Sequence, residues 1–234
     1  MPDDGSASPQ GAALFDIDGT LVDSNYVHVH AWQRAFHAVG HPVDAWRIHR
    51  AIGMGSSLLL SMLLGEPADE LGGKVKQLHS DFYRESSELL RPFAHARDLV
   101  ITLAGRGAKV VLATSAAPDE LELLRAILDV DQAVAAVTSS KDVQVAKPEP
   151  EIVEVALDRA GVTAGRAVFI GDAIWDVMAA KQVGVPTVGL LSGGTSAAEL
   201  TEAGAVAIYE DAAALLSDLD SSPLAAVCRP LSAR

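Results

Sequence analysis

Asp16 and Asp18 stand two residues apart, Thr114 precedes Ser115, Lys147 precedes Pro148, and Asp172 is followed one helical turn later by Asp176. If the fold brings them together, three or four carboxylates, one hydroxyl and one lysine at a single place are hard to explain as packing. Clustered carboxylates repel and raise one another's pKa unless a cation lies among them. A hard divalent ion with oxygen ligands, most simply Mg²⁺, resolves that conflict.

The elements around these residues give a reason to expect convergence. Residues 12–16 (AALFD) form a short apolar run that ends in Asp16, and similar runs occur at 110–114, 167–171, 187–191 and 206–209, with a weaker one at 133–137. Helical spacing fills 118–128, 150–160, 173–183 and 196–203, and Gly161, Gly184 and Gly204 follow as stops. Alternation of this kind predicts an α/β fold, a doubly wound, Rossmann-like parallel sheet with helices on both faces. In such sheets ligands bind outside the carboxyl ends of the strands, where Asp16, Asp18, Thr114, Ser115, Lys147, Asp172 and Asp176 all fall.

One stretch breaks the alternation. Residues 24–91 hold helical patterns at 26–39, 44–52, 58–64 and 68–90 and no convincing strand, which reads as an inserted all-helical cap. Residues 1–23 and 92–234 then make the core domain. A length of 234 residues, against a soft prior of about 150 per domain, agrees with one large domain carrying a smaller insert.

Composition narrows the partners. With 49% hydrophobic and 21% charged residues the chain is an ordinary globular protein. Its net charge of −13 repels a phosphate backbone, so nucleic acid is not expected as a partner, and the same sign should discourage small anionic substrates. The cap holds seven acids and seven bases, so the whole excess lies in the core segments. The leader MPDDGSASPQ has no Lys, Arg or apolar segment, and the longest apolar stretches, such as Leu58–Leu64, fall far short of the roughly 20 residues that cross a bilayer. Cys228, the single cysteine, cannot form an intramolecular disulfide. A cytoplasmic protein without membrane partners is the expectation; the sequence does not set its oligomeric state, for which a monomer would suffice.

Phe15-Asp16-Ile17-Asp18-Gly19-Thr20-Leu21-Val22-Asp23-Ser24 resembles the first motif of the haloacid dehalogenase superfamily, most of whose members are phosphatases. Thr114, Lys147-Pro148 and Gly171-Asp172-Ala173-Ile174-Trp175-Asp176 resemble its second, third and fourth motifs, in the correct order. The likeness covers residues 12–210 and is nearest to the phosphoglycolate phosphatase and beta-phosphoglucomutase-like branch, which carries a helical cap after the first motif.

This resemblance implies a Mg²⁺-dependent phosphatase acting on a small phosphorylated metabolite. Asp16 would attack phosphorus and form an aspartyl-phosphate, and Asp18 would protonate the leaving oxygen and then activate water. Asp16, the Asp18 carbonyl and Asp172 would hold the metal, with Asp176 either joining them, orienting metal waters or the lysine, or only favouring the start of its helix. Thr114, Ser115 and Lys147 would bind the phosphoryl oxygens. Ala173 stands where many relatives have Ser. Asp23 and Ser24 suit a hinge and a helix cap. In the cap, His28 sits where mutase relatives place a histidine near the acid, but it shares a helix face with Trp32, which equally fits packing. Arg47 and Arg50 are candidates for substrate recognition or are simply solvated. The other histidines, at positions 30, 37, 41, 49, 79 and 95, show no ligand pattern and read as structural. A sugar phosphomutase shares every core residue, and Thr20 leans only mildly toward the phosphatase. A phospho-acceptor signalling domain is disfavoured because it needs neither Asp18 nor a lid.

Overall fold

The computed structural model describes residues 11–66 and 68–229, so the polar leader and the last residues of the tail lie outside the described residues. Among the described residues, six parallel strands form one sheet: β1 (Ala12–Phe15), β2 (Lys109–Ala113), β3 (Val134–Thr138), β4 (Ala167–Gly171), β5 (Thr187–Leu190) and β6 (Ala207–Tyr209), in the order β3-β2-β1-β4-β5-β6. The chain winds outward from β1 through β2 to β3, returns to place β4 on the other side of β1, and winds outward again. The order therefore reverses between β1 and β4, and the crevice that opens there is where ligands bind in sheets of this type.

The apolar runs are continuous because both faces are covered. Ala13 and Phe15 of β1 pack with Val110, Leu112 and Ile170 against α5 (Ala96–Gly105), α6 (Pro118–Leu128) and α10 (Ala212–Ser217). Ala12 and Leu14 pack on the opposite face with Val111 and Phe169 against α7 (Glu151–Ala160) and α8 (Ile174–Gln182). The sequence reading places α6, α7, α8 and α9 (Ala197–Ala203) to within a residue or two but does not include α5 or α10. Gly161 closes α7 in the left-handed region at φ 63°.

Between β1 and α5 lie α1 (Asn25–Ala38), α2 (Ala45–Ala51), α3 (Ser56–Leu64) and α4 (Ala68–Glu85). The pattern read as one helix over 68–90 ends instead at Glu85, and a separate helical turn follows at Ser87–Leu89. These helices have an apolar cluster of their own, built from Trp32, Phe36, Ile48, Leu60, Leu63 and Val75 among others. The two chain crossings lie side by side: Asp23 N–H donates to Arg91 O at 2.9 Å, and Phe93 N–H donates to Leu21 O at 3.0 Å. Among the described residues no helix is long and apolar enough to cross a membrane.

Candidate active site

Asp16 leaves the end of β1 with its N–H on Ile170 O at 2.9 Å, which fixes it at the mouth of the β1/β4 crevice. Asp172 follows β4 and faces it. Lys147, 2% exposed, lies 3.0 Å from Asp16 Oδ1 and 2.7 Å from Asp176 Oδ1. Ligand oxygens of Asp16, Asp172 and Asp176 all lie within 4.8 Å of one another. Asp172 is oriented from two sides, with Thr20 Oγ1 donating to Oδ1 at 2.7 Å and Asn25 Nδ2 to Oδ2 at 2.9 Å. A β-carbon on Gly193 would overlap the Asp172 carboxylate, so only glycine lets this loop close over it.

Three buried carboxylates cluster beside one lysine, and the imbalance appears in the titration of Asp16 and Asp172. Burial pushes the Asp16 carboxyl up to about 7; Lys147 pulls it back, and Asp176 and Asp18 raise it further. Burial also holds Asp172 well above the usual carboxylate range, with Asp176 and Asp16 adding to the rise and the Thr20 and Asn25 bonds opposing it. The Lys147 ammonium is destabilised by burial, but Asp16 and Asp176 more than offset this and raise its pKa. An all-oxygen, buried, under-neutralised set of this kind fits a hard divalent cation. Asp176 is the least free member, because Oδ1 faces Lys147 and Oδ2 accepts from Ala173 N at 3.1 Å.

The lysine has a measurable structural role. Lys147→Met removes the one cation from between two buried carboxylates, and breaking a buried pair in this way typically costs about 3–5 kcal/mol. In chelator the variant is expected to melt on the order of 10 °C below wild type at pH 7.5 by calorimetry. An unchanged midpoint would mean that the lysine does not hold the carboxylates in place.

A cavity of about 430 Å³ opens in front of this set, and Asp16, Asp18, His28, Thr114, Ser115 and Lys147 all line it. Thr114 Oγ1 accepts from Ala116 N at 3.0 Å, which leaves its own proton free to donate. Ser115 Oγ is buried with no partner among the described residues. Asp18 Oδ1 accepts from Ser24 Oγ at 2.6 Å and lies 3.2 Å from His28 Nε2. Burial raises the Asp18 pKa, but the His28 and Ser24 bonds outweigh it and the group sits below the usual carboxylate value. Ser24 begins α1 without a side-chain cap, its hydroxyl turned instead to donate to Asp18.

Arg47 and Arg50 are not among the residues that line the cavity. Arg47 is exposed, and Arg50, in the last turn of α2, pairs instead with Glu199 of α9. Opposite charge across the two elements draws Arg50 away from the cavity. In their place the cap presents one polar face of α4, with Lys76, Gln77, Ser80 and Arg84 among the lining residues and Arg84 paired to Asp119 at 2.9 Å. His79 also lines the cavity, and His49 lies 3.0 Å from Gly193 O, bridging α2 to the loop after β5.

Residues 11–184 match the family described as haloacid dehalogenase-like hydrolase. A phosphorylated carbohydrates phosphatase of Thermotoga maritima is 31% identical over 205 residues, covering 85% of this chain and 94% of that protein. The phosphoglycolate phosphatase of Escherichia coli K12 is 30% identical over 202 residues, 76% of this chain and 80% of that one. Among solved structures, a hydrolase from Pseudomonas syringae superposes with a TM-score of 0.86 at 37% identity, covering 91% of this chain and 99% of that chain. With the strand-end carboxylates, the lysine and the β1/β4 crevice arranged as described, this chain belongs to the haloacid dehalogenase-like hydrolases.

Proposed function

We propose that the protein is a Mg²⁺-dependent phosphatase that hydrolyses a small phosphorylated metabolite through an aspartyl-phosphate. The observation that carries this reading is the floor of the cavity, where the Asp16 carboxylate faces open space with Lys147 at 3.0 Å. An Asp16 oxygen attacks phosphorus, the ester P–O bond breaks, and the leaving oxygen takes a proton from Asp18. Asp18 then removes a proton from water, which attacks the same phosphorus; the Asp16–phosphorus bond breaks and inorganic phosphate leaves. Taking that proton returns Asp18 to its acid form, and His28 Nε2, 3.2 Å away, holds the carboxyl in place between the two steps. Thr114, Ser115 and Lys147 meet the phosphoryl oxygens, and positioning with charge stabilisation is what phosphoryl transfer demands of a protein. Held by Asp16, Asp172 and the Asp18 carbonyl, Mg²⁺ would supply positive charge against the phosphoryl oxygens. Asp176 orients Lys147 in this reading and adds negative charge to the metal set.

Residues 24–91 act as the cap, hinged at the paired crossings where the Asp23 and Arg91 side chains meet at 2.6 Å. Closing it excludes water and selects the substrate. The names of the relatives make sugar phosphates and phosphoglycolate the first substrates to try, in a cytoplasmic setting where such metabolites are held.

The test is phosphate release from a generic aryl phosphate with Mg²⁺, followed by a panel of sugar phosphates, phosphoglycolate, nucleotides and polyol phosphates. Release from at least one metabolite is expected. Migration of phosphate between hydroxyls of a hexose phosphate, given a bisphosphate primer, would make the protein a mutase; a long-lived phosphoprotein without release would make it an acceptor domain.

A further inference from the structure

On the acid side of the site the cap contributes a second histidine. His79 of α4 is 5% exposed, and its Nε2 lies 3.0 Å from His28 Nδ1, so that His79, His28 and Asp18 form one line of contacts. Neither ring is free to turn. His79 stacks on Trp32 with centroids 3.9 Å apart and planes 16° from parallel, and His28 stacks on Tyr83 at 4.0 Å and 10°.

We infer that His79 is a positioning residue for the acid–base step, holding the His28 imidazole so that its Nε2–H stays aimed at Asp18. This rests on the phosphatase reading above. His28 Nε2 is the ring nitrogen 3.2 Å from Asp18 Oδ1, so the proton aimed at Asp18 is the one on Nε2. His28 Nδ1 must then accept when the ring is neutral and donate when it is charged. A neutral histidine serves both needs, because one of its tautomers puts a proton on Nε2 and the other leaves Nε2 bare. Burial, with the nearby His28 and Lys76 charges, keeps His79 well below the usual histidine range and hence neutral. A residue that only filled the space between Trp32 and Tyr83 would need no ring nitrogens. Since α1 and α4 both belong to the cap, the same contacts make the acid–base geometry depend on the cap being seated.

That contrast sets the experiment. His79→Phe keeps an aromatic ring in the stack and removes the nitrogens. With saturating Mg²⁺, its kcat/KM for an alkyl phosphate is expected to fall on the order of 10-fold, a part of the roughly 10²- to 10⁴-fold that a positioned acid supplies. For 2,4-dinitrophenyl phosphate, whose leaving group departs without a proton, kcat/KM should stay within about 3-fold of wild type. Equal losses on both esters, or none on either, overturn the assignment. If His79→Phe fails to fold, His79→Asn is read by the same ratio. A second measurement needs no turnover: in chelator, at a pH where the His28 ring is neutral, ¹⁵N spectra should show its Nδ1 as a hydrogen-bonded acceptor in wild type and as a bare nitrogen in His79→Phe. An unchanged His28 pattern in the variant overturns the positioning role, whereas failure to hydrolyse any ester overturns the phosphatase reading alone.

Discussion

Asp16→Asn is expected to lower the rate of phosphate release by at least about 10⁴-fold, the scale on which loss of a covalent nucleophile is felt. The amide is nearly isosteric with the carboxylate, so the protein should remain folded. It should in fact gain stability in chelator. Burial and two neighbouring carboxylates raise the folded-state pKa of Asp16 from 3.8 to about 7. A carboxyl raised in this way ionises in the unfolded chain first, so the native state holds the extra proton and stability falls as pH rises from about 4 through 7. Asn carries no such penalty. The variant should therefore melt above metal-free wild type at pH 8 and converge with it near pH 4, read by calorimetry at both values. Retained turnover would overturn the nucleophile; a lower midpoint at pH 8 would mean that Lys147 already compensates Asp16 fully.

What could be read from the sequence followed from how each feature is encoded. Core strands announce themselves because both faces of a parallel sheet are buried, which gives runs such as AALF and AVFIG that no surface element would carry. Asp16, Thr114 and Asp172 were legible from their places just after such runs. α5 was harder to see, since ARDLVITLAG packs only Ala96, Leu99, Val100 and Leu103 from a short, mixed pattern. The cap wall was not legible at all. Lys76, Gln77, Ser80 and Arg84 recur at helical spacing, and in sequence a polar helix face against a cavity looks the same as one against water. His79 carried no local signal for the same reason: its partner, His28, lies on a different helix and meets it only through packing. Arg50 shows the converse difficulty: in sequence its charge suits a cavity or water equally, and Glu199, the acid it pairs with, lies far along the chain.

Mg²⁺ removal should have an effect as large as loss of the nucleophile. Chelator is expected to bring phosphate release to background and added Mg²⁺ to restore it, because three buried carboxylates and one lysine leave the crevice hostile to an anion. Binding should also register as stability. A ligand at 100 times its Kd stabilises the folded state by about 2.7 kcal/mol, which for a chain of this size is on the order of 5–10 °C in Tm. Asp172→Asn keeps the shape of the site but removes a ligand charge, so its Tm should no longer respond to Mg²⁺ at the concentration that shifts wild type. Full turnover in chelator, or an undiminished Mg²⁺ shift in the variant, would remove the metal from this site. The same logic disposes of the objection raised by a net charge of −13. Part of that acidity is the metal site itself, and once a divalent ion joins Lys147 the local field that a phosphate meets changes sign although the molecule as a whole stays acidic. Inorganic phosphate should accordingly bind wild type tightly enough to be measured by calorimetry with Mg²⁺ present, and at least about tenfold more weakly in chelator.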